Sequence, residues 1–121
     1  MRMISGGNKY ISTRWYLAKL NPTKYDEIGK LRPVVILTSQ KILNSKPPLI
    51  FICPLSSKSH DDFKYLHFKL YPRDRLNGIS YVLIEHSKSV SVQRLNNDCL
   101  SVLTDSELEQ IIKNISFLID A

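Results

Sequence analysis

The segment 29–37 constrains the fold most, because it places a fixed cation directly before an apolar strand. Residues 34–37 form a short, continuous run rich in β-branched side chains, which predicts a strand buried on both faces. A proline lacks the N–H that a strand ladder needs, so Pro33 is expected at the first residue of this strand. The residue before a proline is confined to extended geometry, and Arg32 is therefore expected at a rigid edge.

Composition indicates one soluble domain over residues 1–121, with 1–12 expected as a flexible N-terminal arm. The 121 residues are 43% hydrophobic, enough to bury about two-thirds of the unfolded surface. The two cysteines have neither zinc-ligand spacing nor the density of a secreted disulfide scaffold, which favours a reduced, cytoplasmic protein. No stretch approaches the roughly 20 apolar residues of a membrane span, so no membrane association is expected.

The net charge of +6 is unevenly distributed. Residues 104–121 contain four acidic side chains and one basic side chain, which leaves 16 bases and 7 acids in residues 1–103. A body with a charge of +9 favours a polyanionic partner, either nucleic acid or an acidic protein segment, and salt-sensitive association. A solvated basic surface without a ligand is the alternative.

Several further apolar runs predict strands. Pro54 is expected to end the third strand and release a hydroxyl-rich loop over 55–60, and alternation over 65–70 places His67 on a solvated face. One helical turn is predicted at 40–43. Five or six short strands indicate a small, strongly bent sheet or barrel. The predicted strands are 15–20, 34–37, 49–53, 66–70, 79–84 and 89–93.

The C-terminal segment changes to a helical period. Apolar residues recur at 108, 111, 112, 115, 118 and 119, which predicts an amphipathic helix. Thr104 and Glu107 have the spacing of a capping box at its start. The sequence therefore predicts a mainly β domain of the α+β class, closed by a C-terminal helix.

Few side chains are candidates for chemistry. The sequence contains no phosphate-binding glycine loop, metal-ligand cluster or nucleophile elbow, so no metal or cofactor is expected. Three isolated histidines, His60, His67 and His86, are expected to be solvated or structural. The remaining candidates are Arg32, the hydroxyl pair Ser56-Ser57 and the polar stretch 86–89. If their strands are antiparallel neighbours, Arg32 and Ser56 meet at one rim.

Residues from about 15 to 120 resemble the MazF/PemK family of bacterial toxin–antitoxin toxins. The resemblance rests on Asn21-Pro22-Thr23-Lys24, Glu27, Gly29, Arg32-Pro33-Val34-Val35, Cys53-Pro54-Leu55-Ser56-Ser57 and Val92-Gln93-Arg94-Leu95. It implies an SH3-like barrel with a C-terminal helix, a homodimer, and metal-independent cleavage of single-stranded RNA, often mRNA. It also implies neutralisation by a cognate acidic antitoxin, with DNA contacted only through the toxin–antitoxin complex.

By this resemblance, Arg32 is the catalytic arginine and Ser56 occupies the position of the catalytic threonine. Cleavage would leave a 2′,3′-cyclic phosphate and a 5′-hydroxyl, with the general base open between His86 and Glu27. The loop 23–31 is expected to gate the RNA groove. The expected substrate-binding residues are Glu27, Lys30, Ser57, Lys58, His86 and Lys88.

The chain departs from the family pattern at Thr13-Arg14, which replaces a Gly-Asp pair, and at Tyr25, which replaces a glycine. The serine at position 56 keeps the hydroxyl group. Two rival functions remain: a CcdB-like toxin that binds DNA gyrase without cutting nucleic acid, and an inactive member that only binds RNA or antitoxin. A gyrase-binding toxin has no need for an arginine and a hydroxyl at one rim.

Overall fold

Seven antiparallel strands and two α-helices make up the described part of the computed structural model, residues 10–20, 31–58, 66–75 and 77–120. This confirms the predicted mainly β fold with a C-terminal helix. Helix α1 is a single turn, as predicted. The elements are β1 (Arg14–Lys19), β2 (Leu31–Ile36), α1 (Gln40–Leu43), β3 (Leu49–Ser56), β4 (His67–Leu70), β5 (Ser80–Leu83), β6 (Lys88–Ser91), β7 (Leu95–Val102) and α2 (Asp105–Asp120).

Strand β3 is the centre of the sheet because it pairs with three other strands. The strand order is β4-β5-β3-β2-β1-β7, and β6 also pairs with β3. On one edge, β3 pairs with β2; on the other, it pairs with β6 through residues 49–52 and with β5 through residues 55–56. The change of partner along one edge divides the sheet into two parts and brings β4 and β5 to the C-terminal end of β3.

Both faces of the sheet are covered, which explains the continuous apolar run in β2. Alternate side chains of β2 enter two separate cores, and residues 34–36 are fully buried. We call the two surfaces the α1 face and the α2 face. The α1 face carries Tyr16, Ala18, Val34, Ile36, Ile50 and Ile52 with Leu43 of α1; the α2 face carries Trp15, Val35, Cys53 and Leu55 with Ile111 of α2.

Helix α2 begins with the predicted capping box. The Glu107 carboxylate accepts a hydrogen bond from the Thr104 backbone N–H at 2.9 Å, and the Thr104 hydroxyl accepts one from the Glu107 N–H at 3.1 Å. The helix covers the α2 face with only part of its apolar surface. Ile111 is buried, whereas Ile112, Phe117 and Ile119 are exposed.

Arg73 fastens the β4–β5 connection to this helix. Its guanidinium donates two hydrogen bonds to the Glu107 carboxylate, at 2.7 and 2.5 Å, and lies 5.4 Å from the ring centre of Trp15. The hydrogen bonds raise the pKa of Arg73 and lower the pKa of Glu107. Asp74 links the same connection to β7 by accepting a hydrogen bond from the Ser101 hydroxyl at 2.7 Å.

Two predictions about prolines were wrong. Pro33 is the third residue of β2 rather than the first, and the β3 ladder begins only after it, at Val34. Pro54 lies inside β3 and does not end it. On the edge that faces β5 and β6, Pro54 falls in the gap between their two ladders, where its missing N–H costs no hydrogen bond. Ser56 is consequently the last residue of a strand and not part of a loop.

The sequence reading also missed β7 and misplaced His67. Strand β7 contains the polar and exposed residues 96–98, so it has no apolar alternation, and its pairing with β1 is interrupted by register shifts. His67 was expected on a solvated face, but it is 8% exposed. Its Nε2 lies 2.8 Å from a Glu85 carboxylate oxygen, so the buried imidazole has a hydrogen-bond partner.

We expect Arg73→Met to lower the free energy of unfolding by about 1–3 kcal/mol at pH 7, because it leaves a largely buried carboxylate without its partner. The lowered pKa means that Glu107 stabilises the fold above about pH 4.3, the ordinary glutamate value, and that this contribution disappears as the pH falls through the lowered pKa. The difference between the parent and Arg73→Met in urea unfolding should therefore shrink at acidic pH.

The matched control is Arg75→Met. The exposed Arg75 donates one long hydrogen bond to the Cys99 carbonyl at 3.3 Å, so its removal should change stability by less than about 0.5 kcal/mol. Equal losses for the two variants would contradict the role given to the Arg73–Glu107 pair.

Candidate functional site

Arg32 and Ser56 are brought together by the pairing of β2 with β3. The two strands are antiparallel, with Val34 opposite Pro54 and Ile36 opposite Ile52. The same register continued by two residues places Arg32 opposite Ser56, and both residues belong to their strands. Opposite residues share one face of a sheet, with Cβ atoms about 4.5–5.5 Å apart. Both side chains therefore extend the α1 face beyond its apolar core.

Arg32 is an exposed cation on a rigid base. Its strand neighbour on the other side is Ala18, which is fully buried and pairs in turn with the buried Leu95. Among residues 10–20, 31–58, 66–75 and 77–120, no carboxylate forms an ion pair with Arg32. A guanidinium stays protonated at any physiological pH and has five N–H donors. It is thus available to bind an anion.

The Ser56 hydroxyl is oriented by its own turn. The half-buried Ser56 accepts a hydrogen bond from the backbone N–H of Lys58 at 3.0 Å. A serine hydroxyl has one donor and two acceptor positions, so the turn occupies an acceptor position and leaves the O–H proton able to donate. Ser57 and Lys58 follow the strand and are both exposed.

Two further residues extend the Arg32–Ser56 pair into a row of side chains across the sheet, and neither was among the site residues predicted from the sequence. Tyr81 of β5 lies opposite Ser56, and Lys69 of β4 lies opposite Tyr81. The order across four neighbouring strands is therefore Arg32, Ser56, Tyr81, Lys69. The Lys69 ammonium lies 5.3 Å from the ring centre of Tyr71. Only the register between strands could have identified Tyr81, because its local sequence shows nothing beyond a strand pattern.

Two other predicted site residues, His86 and Lys88, lie on the side of β3 that faces away from β2. His86 lies in a 3-10 turn between β5 and β6. Both of these strands pair with one edge of β3, and β2 pairs with the other edge. Its Nε2 is 3.9 Å from the Glu85 carboxylate that also contacts His67. Lys88 is exposed and lies opposite Ile52, four residues along β3 from Ser56, a distance of about 13 Å. Glu27 and Lys30, like Tyr25 and the loop 23–31, lie outside the described residues.

Cys53 is on the same strand as Ser56 but on the α2 face, and it is not a reactive nucleophile. Its thiol donates to the Leu83 carbonyl at 3.1 Å and accepts a hydrogen bond from the Ser87 hydroxyl at 3.3 Å. Burial raises the pKa of Cys53 to about 12. The thiol is therefore neutral at physiological pH, whereas the thiolate is the reactive form.

Two further features of the described residues bear on function. They contain no group of three or more His, Cys, Asp or Glu side chains placed to hold a metal ion. None of the helices within them is long and apolar enough to cross a membrane.

A sequence model of the family described as "PemK-like, MazF-like toxin of type II toxin-antitoxin system" matches residues 15–119. A search of curated protein sequences gives no significant match. The family match includes both Arg32 and Ser56.

Solved structures share the fold. The MazE–MazF complex (Form-II) of Deinococcus radiodurans is similar with a TM-score of 0.73 at 19% identity, covering 92% of this chain and 96% of that one. The toxin MazF-mt6 of Mycobacterium tuberculosis gives 0.71 at 19% identity, with coverages of 88% and 96%. An endoribonuclease from mycobacterial species, solved with its cognate antitoxin, gives 0.69 at 17% identity, with coverages of 89% and 92%.

Proposed function

Because the chain belongs to the PemK-like, MazF-like toxins of type II toxin–antitoxin systems, we propose that it is a sequence-specific endoribonuclease that cleaves single-stranded RNA, including mRNA. The observation that carries the proposal is the register that aligns Arg32 with Ser56 on one face. Within the described residues no carboxylate neutralises Arg32, and a cation beside a hydroxyl donor suits a phosphodiester, because the two groups can stabilise the same phosphate oxygens.

The proposed reaction uses a nucleophile that the RNA itself supplies. The ribose 2′-hydroxyl loses its proton to a general base and attacks the adjacent phosphorus. The bond to the 5′-oxygen of the next nucleotide breaks and that oxygen takes up a proton, so the products carry a 2′,3′-cyclic phosphate and a 5′-hydroxyl. Arg32 donates hydrogen bonds to the phosphate oxygens on which negative charge develops, and Ser56 donates a hydrogen bond to the same phosphate. No metal takes part in this scheme.

Other residues in the proposal hold the RNA on either side of the cut. Ser57 and Lys58 follow Ser56 directly, while Lys88 of β6, opposite Ile52, and His86 in the preceding turn suit a more distant phosphate. Glu27 and Lys30 complete the proposed substrate-binding set. Contacts between cationic side chains and phosphates would make RNA binding weaken as salt rises.

The proposal extends to the partners of the chain in the cytoplasm. We infer a homodimer that is neutralised by a cognate acidic antitoxin, with DNA contacted only through that complex. The charge of +9 on residues 1–103 supports an acidic partner, because charge complementarity speeds association and suppresses other partners.

We predict that the purified protein cleaves a long single-stranded RNA in the presence of EDTA and leaves 2′,3′-cyclic phosphate and 5′-hydroxyl ends. Arg32→Ala should lower the rate by about a hundredfold or more, because a charge contact in the transition state is lost. Arg32→Lys should fall between the two, since it keeps the charge without the paired donors. The measurement is a time course with mapping of both RNA ends.

Lys41→Ala, which removes an exposed cation from α1, is the matched control and should cleave at the parental rate. Failure of the parent to cut RNA would point to a gyrase-binding toxin or an inactive member. Full activity of Arg32→Ala would show that the assigned site is wrong.

Alanine substitutions should also separate the two neighbouring hydroxyls. Ser56→Ala should reduce cleavage on the order of tenfold or more, while Ser57→Ala should have a smaller effect, because only Ser56 lies opposite Arg32 in the continued register. Ser56→Thr should be nearly neutral, since it keeps the hydroxyl. Single-turnover rates on one RNA measure all three, and equal losses for the two alanine variants would contradict the register.

A further prediction concerns the antitoxin. The acidic C-terminal segment of the protein encoded next to this chain should block RNA cleavage and compete with an uncleavable RNA in a fluorescence polarisation assay. Its association rate should fall by about tenfold or more between low and high salt, because screening removes the electrostatic attraction. Binding of both ligands together at saturation would contradict a shared site.

A further inference from the structure

We propose that the ring of Tyr81 stacks on the RNA base beside the cleaved phosphate and thereby helps to select the position of the cut. This inference rests on the proposed nuclease function and names a specificity-determining residue for it. The ligand class is an unpaired nucleobase held in single-stranded RNA.

The first argument is placement. Tyr81 lies directly opposite Ser56, and the neighbouring pair in the same ladder is Leu55 with Val82. Val82 is fully buried in the core of the α2 face, so alternation directs Tyr81 to the α1 face, the side that carries Ser56. A Cβ separation of about 5 Å from Ser56 puts the Tyr81 ring within reach of a nucleotide whose phosphate contacts the serine hydroxyl.

The second argument is that the described part of the chain does not use this ring for packing or hydrogen bonding. Tyr81 is half-buried and belongs to neither hydrophobic core, and its hydroxyl forms no hydrogen bond with the described part of the chain. Tyr10 and Tyr16 show the contrast. Both are buried in the core of the α1 face, where their rings pack edge to face at 5.1 Å, and both hydroxyls are hydrogen-bonded.

The third argument is the order of charge along the row. Tyr81 stands between Ser56 and Lys69, so a hydroxyl donor and a cation flank the ring. RNA phosphates held by Arg32 and Lys69 would carry the intervening nucleotide across Tyr81. Stacking of a splayed base on an aromatic side chain is a general mode of single-strand recognition. A phenol at this point adds base contact to a row that otherwise recognises only phosphate.

The test compares Tyr81→Phe, which keeps the ring, with Tyr81→Leu, which keeps an apolar side chain without one. The substrate is a short RNA with one cleavage site, used intact and with an abasic residue at either nucleotide that flanks the cut. We expect Tyr81→Phe to stay within about twofold of the parental kcat/KM and Tyr81→Leu to lose about tenfold to a hundredfold. The abasic residue at the stacking position should slow the parent but barely slow Tyr81→Leu.

Phe51→Leu is the matched control. Phe51 is a partly exposed ring of β3, and strand alternation places it on the α2 face, away from Ser56. This variant should keep parental activity. Urea unfolding of each variant separates loss of folding from loss of contact. Parental activity of Tyr81→Leu, an equal loss in Tyr81→Phe, or an unchanged abasic penalty would each overturn the proposal.

The inference can fail independently of the nuclease function. If the parent does not cleave RNA, the proposed function fails, and the stacking contact is then tested by binding of a short single-stranded 2′-O-methyl RNA of mixed sequence. Affinity about tenfold weaker in Tyr81→Leu than in Tyr81→Phe supports the contact, and equal affinities overturn it.

Discussion

The change of partners along one edge of β3 is the constraint on which the rest of the structure depends. Residues 49–52 pair with β6 and residues 55–56 pair with β5, while the other edge pairs with β2. Because of this change, β5 and β4 extend the sheet beside Ser56, at the end of β3 that lies next to the start of β2. The buried parts of β2 and β3 fix the backbone, and the ends of the same strands carry the exposed Arg32 and the half-buried Ser56. The candidate site is therefore a continuation of the core, which gives its side chains a rigid base.

Two arginines of this chain illustrate how environment separates structure from function. Arg73 donates two hydrogen bonds to Glu107. The Glu107 carboxylate neutralises its charge, and the pair joins the β4–β5 connection to α2. Arg32 is exposed and forms no ion pair within the described residues. A cation already neutralised by a carboxylate binds a phosphate poorly, whereas a cation without such a partner keeps its full charge for an anionic ligand.

The sequence predicted the features that depend on neighbouring residues along the chain. The capping box of α2, the helical turn at 40–43 and the two-sided burial of residues 34–36 are confirmed. The row from Ser56 to Lys69 was not predictable, because β3 and β5 are separated by more than twenty residues and a one-residue shift would turn Tyr81 to the other face. The prediction that Pro54 ends β3 was wrong for a related reason. Its missing N–H leaves no strand partner without a hydrogen bond, because β3 changes from β6 to β5 at this point.

The most direct test of the central claim, that Arg32 and Ser56 act on one phosphate, is a double-mutant cycle of RNA cleavage. Single-turnover rates would be measured for the parent, Arg32→Ala, Ser56→Ala and the double variant, with folding of each checked by urea unfolding. Residues that stabilise the same transition-state group give strongly non-additive losses. The account predicts that the double variant loses at least about tenfold less than the product of the two single losses. A loss equal to that product would contradict it.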